Sequence, residues 1–268
     1  MAIGLDSATS NLSPLQQAQQ NLDTTLERIS TGLRINSASD DAAGLQIANR
    51  LTSSINGDTQ AIRNANDAIS LTQTADAALA SISDGLDQVE NLALQSGNGI
   101  LSAADRDALG QELNQVTDEI TRVAETTEFN GRSIFNGDDL NFGLGENGSL
   151  NVSAQDVSSS LEQLGINDVD LNSPESREQA LETVGQAREN IDALRAELGA
   201  TANRAESAVE QLGVQSENNA VARSRIEDAD FARETANQAR DNILLQASVG
   251  VQAQGNVQSE IALQLLGG

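Results

Sequence analysis

The two ends of this chain carry apolar residues at helical spacing, and nothing close by in the sequence can bury them. Near the N-terminus the series is Leu12, Leu15, Ala18, Leu22, Leu26, Ile29 and Leu33. Near the C-terminus it is Ile243, Ala247, Val251, Val257, Ile261 and Leu265. Steps of three and four, with one longer gap after Val251, place each series on one helix face. Chain ends fray unless something holds them. Two terminal stripes therefore predict that the ends pair with each other, with neighbouring copies, or with both. Their polar faces hold Gln16, Gln17, Gln19 and Gln20 and are not basic, so subunit packing is expected rather than a membrane anchor.

Composition narrows the function classes. The chain has no Cys, His, Trp or Tyr, which removes the imidazole base, the thiolate nucleophile and the usual zinc ligands. Aspartates, glutamates and serines remain, with nothing evident to activate them, so neither catalysis nor a cofactor is expected. The formal charge is −25, and every basic residue is Arg. That is the opposite of a nucleic-acid footprint, and an anionic membrane surface would repel it. Such acidity keeps free subunits soluble and apart. Residues Met1 to Pro14 lack a basic segment followed by an apolar run, so no secretory signal peptide is expected. No apolar stretch is long enough for a membrane span.

Punctuation along the chain predicts a mainly α fold. A first helix is expected from a break at Ser13–Pro14 to about Gly32, with some helix before it possible, and Leu33 to Ser39 reads as a connector. Asp40 and Asp41 suit the positive start of a second helix better than a metal pair. Its stripe runs through Leu51, Ile55, Ile62, Ile69, Leu79, Ile82, Leu86 and Val89. Leu45 to Gln95 would span roughly 75 Å, the length of a rod. Gly97–Asn98–Gly99 breaks it. Ser102 followed by Asp105 restarts a helix with capping-box spacing, and Ser173–Pro174–Glu175 starts another. These elements can lie antiparallel as a bundle.

From about Asn130 to Asn172 the helix signals vanish. Asn130–Gly131, Asn136–Gly137 and Asn147–Gly148 are turn dipeptides, and Leu140, Phe142, Leu144 alternate as Leu150 and Val152 do, predicting a β-hairpin. Phe129, Phe135 and Phe142 fall here, so this region is expected to plug the tip of the bundle. The expected whole is an elongated antiparallel helical bundle or coiled coil formed by the N- and C-terminal halves, with a small β-hairpin at the tip. Its parts are 1–39 (terminal helix and connector), 40–130 (rod), 131–172 (tip), 173–222 (rod) and 223–268 (connector and terminal helix).

Local motifs resemble bacterial flagellin. Glu27–Arg28–Ile29–Ser30–Thr31–Gly32–Leu33–Arg34–Ile35–Asn36–Ser37 is similar to the family's segment before the rod, and Asp40–Asp41–Ala42–Ala43–Gly44 with Ile47–Ala48–Asn49–Arg50 continues it. Arg63 to Asp67, Leu92 to Ser96 and Phe129–Asn130–Gly131 extend the match. The most diagnostic stretch is Ala222–Arg223–Ser224–Arg225–Ile226–Glu227–Asp228–Ala229–Asp230–Phe231. The resemblance covers about residues 1–135 and 176–266, with a short middle and no large outer domains. Within it, Glu227, Asp228 and Asp230 are expected to make ion pairs with Arg50, Arg63 or Arg225 at a subunit contact rather than to bind calcium.

The resemblance implies export through the flagellar type III channel and polymerisation into the extracellular filament. The terminal helices would form the inner tube. The implied self-assembly residues are those of the two stripes: Leu12, Leu15, Leu22, Leu26, Ile29, Leu33, Ile243, Val251, Val257, Ile261 and Leu265. Implied partners are the chain itself, an export chaperone, the filament cap and hook–filament junction proteins. O-linked glycans are familiar in flagellins, with Ser149, Ser153, Ser158, Ser159 and Ser160 as exposed candidates by position; a plain solvated loop is the alternative. In flagellins detected by the animal Toll-like flagellin receptor, an Arg precedes the leucine–alanine–glutamine segment. Here that position is Gln88, while Leu86, Leu92, Gln95 and Glu112 match, which implies a weakened receptor surface. Alternatives are the related hook–filament junction protein and a free coiled-coil interaction module.

Overall fold

The computed structural model describes residues 3–145, 148–153, 155–166, 169–171 and 173–266, with side chains from residue 15 onward except at 259 and 262–266. It is mainly α-helical, with two small antiparallel strand pairs. Helix α1 spans Ile3–Thr31. The start expected at Ser13–Pro14 lies inside it, because a proline removes one backbone donor without barring a helix begun earlier. Gly32 ends α1 in the left-handed region at φ 73°, donating its N–H to the Arg28 carbonyl at 2.9 Å.

Three of the later helices start where their caps predict. Helix α2 spans Ala42–Ser96, and the Asp41 carboxylate accepts the Gly44 N–H at 2.9 Å. Helix α3, Ala103–Thr126, opens with the expected capping box: Ser102 Oγ accepts the Asp105 N–H at 3.2 Å, and Asp105 accepts the Ser102 N–H at 2.9 Å. Strands β1 (Glu128–Phe129) and β2 (Arg132–Ser133) flank Asn130–Gly131, whose φ angles of 52° and 75° suit a two-residue hairpin.

The predicted hairpin is β3 (Leu140–Gly143) paired with β4 (Ser149–Val152), with Leu140 opposite Val152 and Phe142 opposite Leu150. A short helix α4, Val157–Leu164, follows, in a stretch expected to lack helix. Its three serines hide the signal, but Asp156 caps it and burial of Val157 and Leu161 holds it. Helix α5, Pro174–Glu227, begins with Ser173 Oγ accepting the Ser176 N–H at 3.0 Å. It runs past residue 222, leaving a connector of only Asp228 to Asp230 before α6, Phe231–Leu266.

Two compact units result. One is Asn56–Ser216. Its core joins Leu71, Leu79, Ile82 and Val89 of α2, Leu113 and Ile120 of α3, and Val184, Ile191, Leu194 and Leu198 of α5. The strand region packs on this core, with Phe135, Leu150 and Val152 buried and Phe129 and Phe142 at its edge, but not at the tip expected. Asn64 donates to the Gly143 carbonyl at 2.7 Å and Gly145 lies against Gly57 and Ala61, well before the end of α2 at Ser96, because the apolar side chains of the strands fill the side of the bundle there. Burying each such aliphatic side chain stabilises by about 1.5–3 kcal/mol, an upper bound given residual burial in unfolded chains. The other unit is Met1–Ile55 with Glu217–Gly268. Here α1 packs on α6, and Ile35 is buried where Gly44 leaves it room.

Candidate self-assembly surface

Within the second unit, α1 and α6 run antiparallel. Thr25 Oγ1 donates to Asp241 Oδ2 at 3.1 Å, Arg28 Nη1 lies 4.0 Å from Glu234 Oε1, and Leu33 bridges Asp228. Numbers rise on one helix as they fall on the other. The connectors clasp each other through the Arg34 N–H on the Glu227 carbonyl (2.6 Å) and the Ala229 N–H on the Gly32 carbonyl (2.9 Å). The Arg34 guanidinium also donates to the Ile226 carbonyl. Asp40 holds the next bend by accepting the N–H groups of Ser37 and Asn36. Those two bonds, Ser37 first, keep its carboxyl below the ordinary aspartate range.

The two faces of α6 are the reverse of a simple stripe-on-stripe pairing. The face toward α1 carries Glu234 and Asp241, which are 6% and 3% exposed, with half-buried Leu245, Ser248, Gln252 and Gly255 in the same helical series. The apolar series points away: Ile243 is 67% exposed and Val251 65%, and Val257 and Ile261 are also exposed, joined by Leu244 and Val249. On α1, Ala18, Leu22 and Thr25 are buried, Leu15, Ile29 and Leu33 are half-buried, and Leu26 is exposed. Gln16, Gln17, Gln19 and Gln20 are exposed. The side chains of Leu12 and Leu265 lie outside the described residues. No single-sequence signal marks the Thr25–Asp241 contact, because its partners are far apart in the chain.

Two expected surfaces need correction. Leu86 and Leu92 are buried, Leu86 completely, because they belong to the core stripe of α2; they cannot form an exposed receptor face. Gln88, Gln95 and Glu112 are exposed. Gln88 lines an open groove between α2 and α3 with Asp84, Glu112 and Glu119. Of the candidate serines, Ser149 is exposed on β4. Ser153 is half-buried and donates to Glu197 at 2.8 Å, and Ser158, Ser159 and Ser160 are half-buried in α4. Folding of that stretch into a capped helix removes the free loop assumed for them. Asp230 caps α6 through the Ala232 and Arg233 N–H groups, and Asp228 accepts the Ser224 hydroxyl.

Exposed ion pairs cross from α2 to α5. Arg188 contacts Asp87 at 3.0 Å and Glu90 at 2.8 Å, and Arg195 contacts Asp76 at 2.8 Å. At this exposure they contribute little beyond register. Among the described residues no acidic cluster is arranged to hold a metal, and no helix is long and apolar enough to cross a membrane.

Paired terminal helices with an uncovered apolar face define an α-helical subunit suited to self-association. Family profiles agree. Residues 5–139 match the bacterial flagellin N-terminal helical region, and residues 181–266 match the C-terminal helical region. The chain is 36% identical to a flagellin of Xenorhabdus nematophila, with 97% of each chain covered. It is 34% identical to the "flagellar filament 33 kDa core protein" of Treponema phagedenis, covering 90% of this chain and 91% of that one. The crystal structure of Bacillus cereus flagellin superposes with a TM-score of 0.51 at 32% identity, covering 56% of this chain and 88% of the other. The chain belongs to the bacterial flagellin family and is a structural subunit that polymerises into the flagellar filament.

Proposed function

We propose that subunits join through the outward apolar face of α6, with Ile243, Val251, Val257 and Ile261 entering contacts with neighbouring copies, and with the exposed and half-buried residues of α1 completing them. The observation that carries this reading is the exposure of that whole series in a single subunit. A row of aliphatic side chains left in water is stabilised by burial against a second copy. Leu12 and Leu265 extend the two series by spacing. The filament is extracellular in this reading. Subunits reach it through the type III export channel, with an export chaperone, the filament cap and hook–filament junction proteins as further partners. Ser149 is the exposed candidate for an O-linked glycan, and Gln88 makes any Toll-like receptor contact weak.

Removing residues 1–20 or 245–268 tests the assignment. Electron microscopy is expected to show filaments from the full chain and none from either truncation, while the bundle of Asn56–Ser216 keeps its helical signal. Normal polymerisation of a truncated chain would overturn it.

A further inference from the structure

The chain holds five Asn–Gly pairs, beginning at Asn56, Asn98, Asn130, Asn136 and Asn147, and the fold treats them differently. An Asn followed by Gly can close on itself: the glycine nitrogen, with no Cβ to hinder it, attacks the side-chain carbonyl carbon wherever the backbone is free to turn. Asn56 lies inside α2, where the helix holds its backbone away from that geometry. Asn130 sits at φ 52° in a turn clamped by the β1–β2 pairs and by the Ile134 N–H on the Thr127 carbonyl at 3.1 Å. Asn136 is tied at both atoms of its amide. Its Oδ1 accepts the Asp138 N–H and its Nδ2 donates to the Asp138 carboxylate, each at 3.1 Å, and a Cβ at Gly137 would stand 3.5 Å from Asp156 Cβ. The side chain of Asn147 lies outside the described residues.

Asn98 differs on each count. It stands between Gly97 and Gly99 in the exposed turn that joins α2 to α3, and Ile100 after it is 90% exposed. Its Oδ1 accepts the Ile100 N–H at 3.2 Å, while its Nδ2 has no hydrogen-bond partner among the described residues. A Cβ on Gly99 would meet no atom within 4 Å, so nothing obstructs ring closure there.

We propose that Asn98–Gly99 is a self-modification site, which converts to aspartate and isoaspartate without an enzyme. The Gly99 nitrogen gives its proton to hydroxide and bonds to Asn98 Cγ. The negative charge that develops on Oδ1 falls where the Ile100 N–H already donates. The Cγ–Nδ2 bond then breaks, and the nitrogen takes a proton from water and leaves as ammonia. Water opens the resulting succinimide at either of its carbonyls and leaves a free carboxyl. One water is taken up, one ammonia is released, and nothing is oxidised or reduced. The product places a new negative charge at the negative end of α2, where the Leu94 and Gln95 carbonyls accept the Gly97 and Asn98 N–H groups. Isoaspartate also lengthens the turn by one backbone carbon. The extent of conversion records the age of a subunit. This is a property of the bundle itself and does not rest on the filament reading.

The test compares the full chain, folded and unfolded in urea, during incubation in mildly alkaline buffer. Fragmentation of tryptic peptides places each amide that has become a carboxyl, and labelling by an isoaspartyl methyltransferase identifies the isoaspartate. In the folded chain Asn98 is expected to keep its unfolded rate, while Asn56, Asn130 and Asn136 slow on the order of tenfold or more, because each needs local opening first. Gly99→Val is expected to slow conversion at Asn98 on the order of tenfold in both arms, since a branched side chain hinders the attacking nitrogen. Its folded arm is meaningful because Gly99 lies outside the left-handed region and a side chain there meets open space. Protection of Asn98 equal to that of Asn56 overturns the proposal. So does faster folded-state conversion at Asn130 or Asn136, or an undiminished rate in Gly99→Val.

Discussion

Gly85 of α2 lies so close to Ile120 of α3 that a Cβ there would stand 2.6 Å from Ile120 Cγ1. Ile120 is itself buried, so it has little room to move. Replacing a helical Gly by Ala ordinarily stabilises by about 1 kcal/mol. At position 85 the overlap should outweigh that gain, and Gly85→Ala is expected to destabilise the bundle by about 1–3 kcal/mol. Gly199 of α5 has no atom within 4 Å of a built Cβ, so Gly199→Ala should stabilise by about 1 kcal/mol. Urea melts of the two variants should move in opposite directions; a shared direction would contradict the packing at Ile120.

The start of α3 should carry a signature in acid. Hydrogen bonds from the Ser102 hydroxyl and N–H hold the Asp105 carboxyl below the ordinary aspartate range. A carboxyl lowered in the folded state contributes stability that is fully present above its unfolded pKa, near 3.9, and is lost as pH falls through the folded value. Asp105→Asn should therefore weaken the protein at pH 6 but narrow its loss of stability between pH 6 and strongly acidic buffer. The urea midpoint in each buffer measures both, and an unchanged pH response would remove Asp105 from the acid sensitivity.

Faces should differ in tolerance. Leu22 is buried in the α1 seam, and Leu22→Asp would place a carboxylate there without a partner. Ile261 is exposed in one subunit, so Ile261→Asp should leave the monomer's melting unchanged and still block filament growth. Gln19 is exposed, and Gln19→Glu should be mild. Motility of strains with each change ranks them; equal effects would undo the assigned faces.

Salt should stabilise the polymer. Every subunit brings a formal charge of −25 into the lattice. Repulsion between exposed charges is screened beyond about 8 Å at physiological ionic strength. The melting temperature of filaments is expected to rise from low to high NaCl. A flat or falling trend would show that arginine pairs across subunits already neutralise the acidic residues.

Receptor signalling should respond to one position. Gln88 is exposed beside Asp84, Glu112 and Glu119, where an arginine would meet acidic neighbours. Gln lacks the charge and forked geometry of Arg. The wild-type monomer is expected to signal weakly through the Toll-like flagellin receptor, and Gln88→Arg to signal more strongly in a reporter assay. Strong wild-type signalling, or no gain from the substitution, would refute this.

The starts of α2, α3 and α5 and the hairpin were legible because their signals are local. Ser102 and Asp105 sit three residues apart, as do Ser173 and Ser176. Asn130–Gly131 needs no distant partner for its turn. Helix α4 was not legible, since three serines lower its propensity and only burial of Val157 and Leu161 in the bundle core compensates. Leu86 and Leu92 show the same limit from the other side. Their spacing marks a stripe, but which stripe faces α3 and α5 depends on those helices.

By itself, then, the sequence determined the helical periods, the caps, the turn chemistry and a family resemblance, all carried by residues a few positions apart. Only the tertiary structure decided how the termini meet. Apolar spacing along α6 says that one face wants burial, not which face meets α1. In the fold Thr25 meets Asp241, 216 residues away. Asp241 is 3% exposed there, so a buried carboxylate rather than the apolar series faces α1, and that contact exists only once the two helices are brought together.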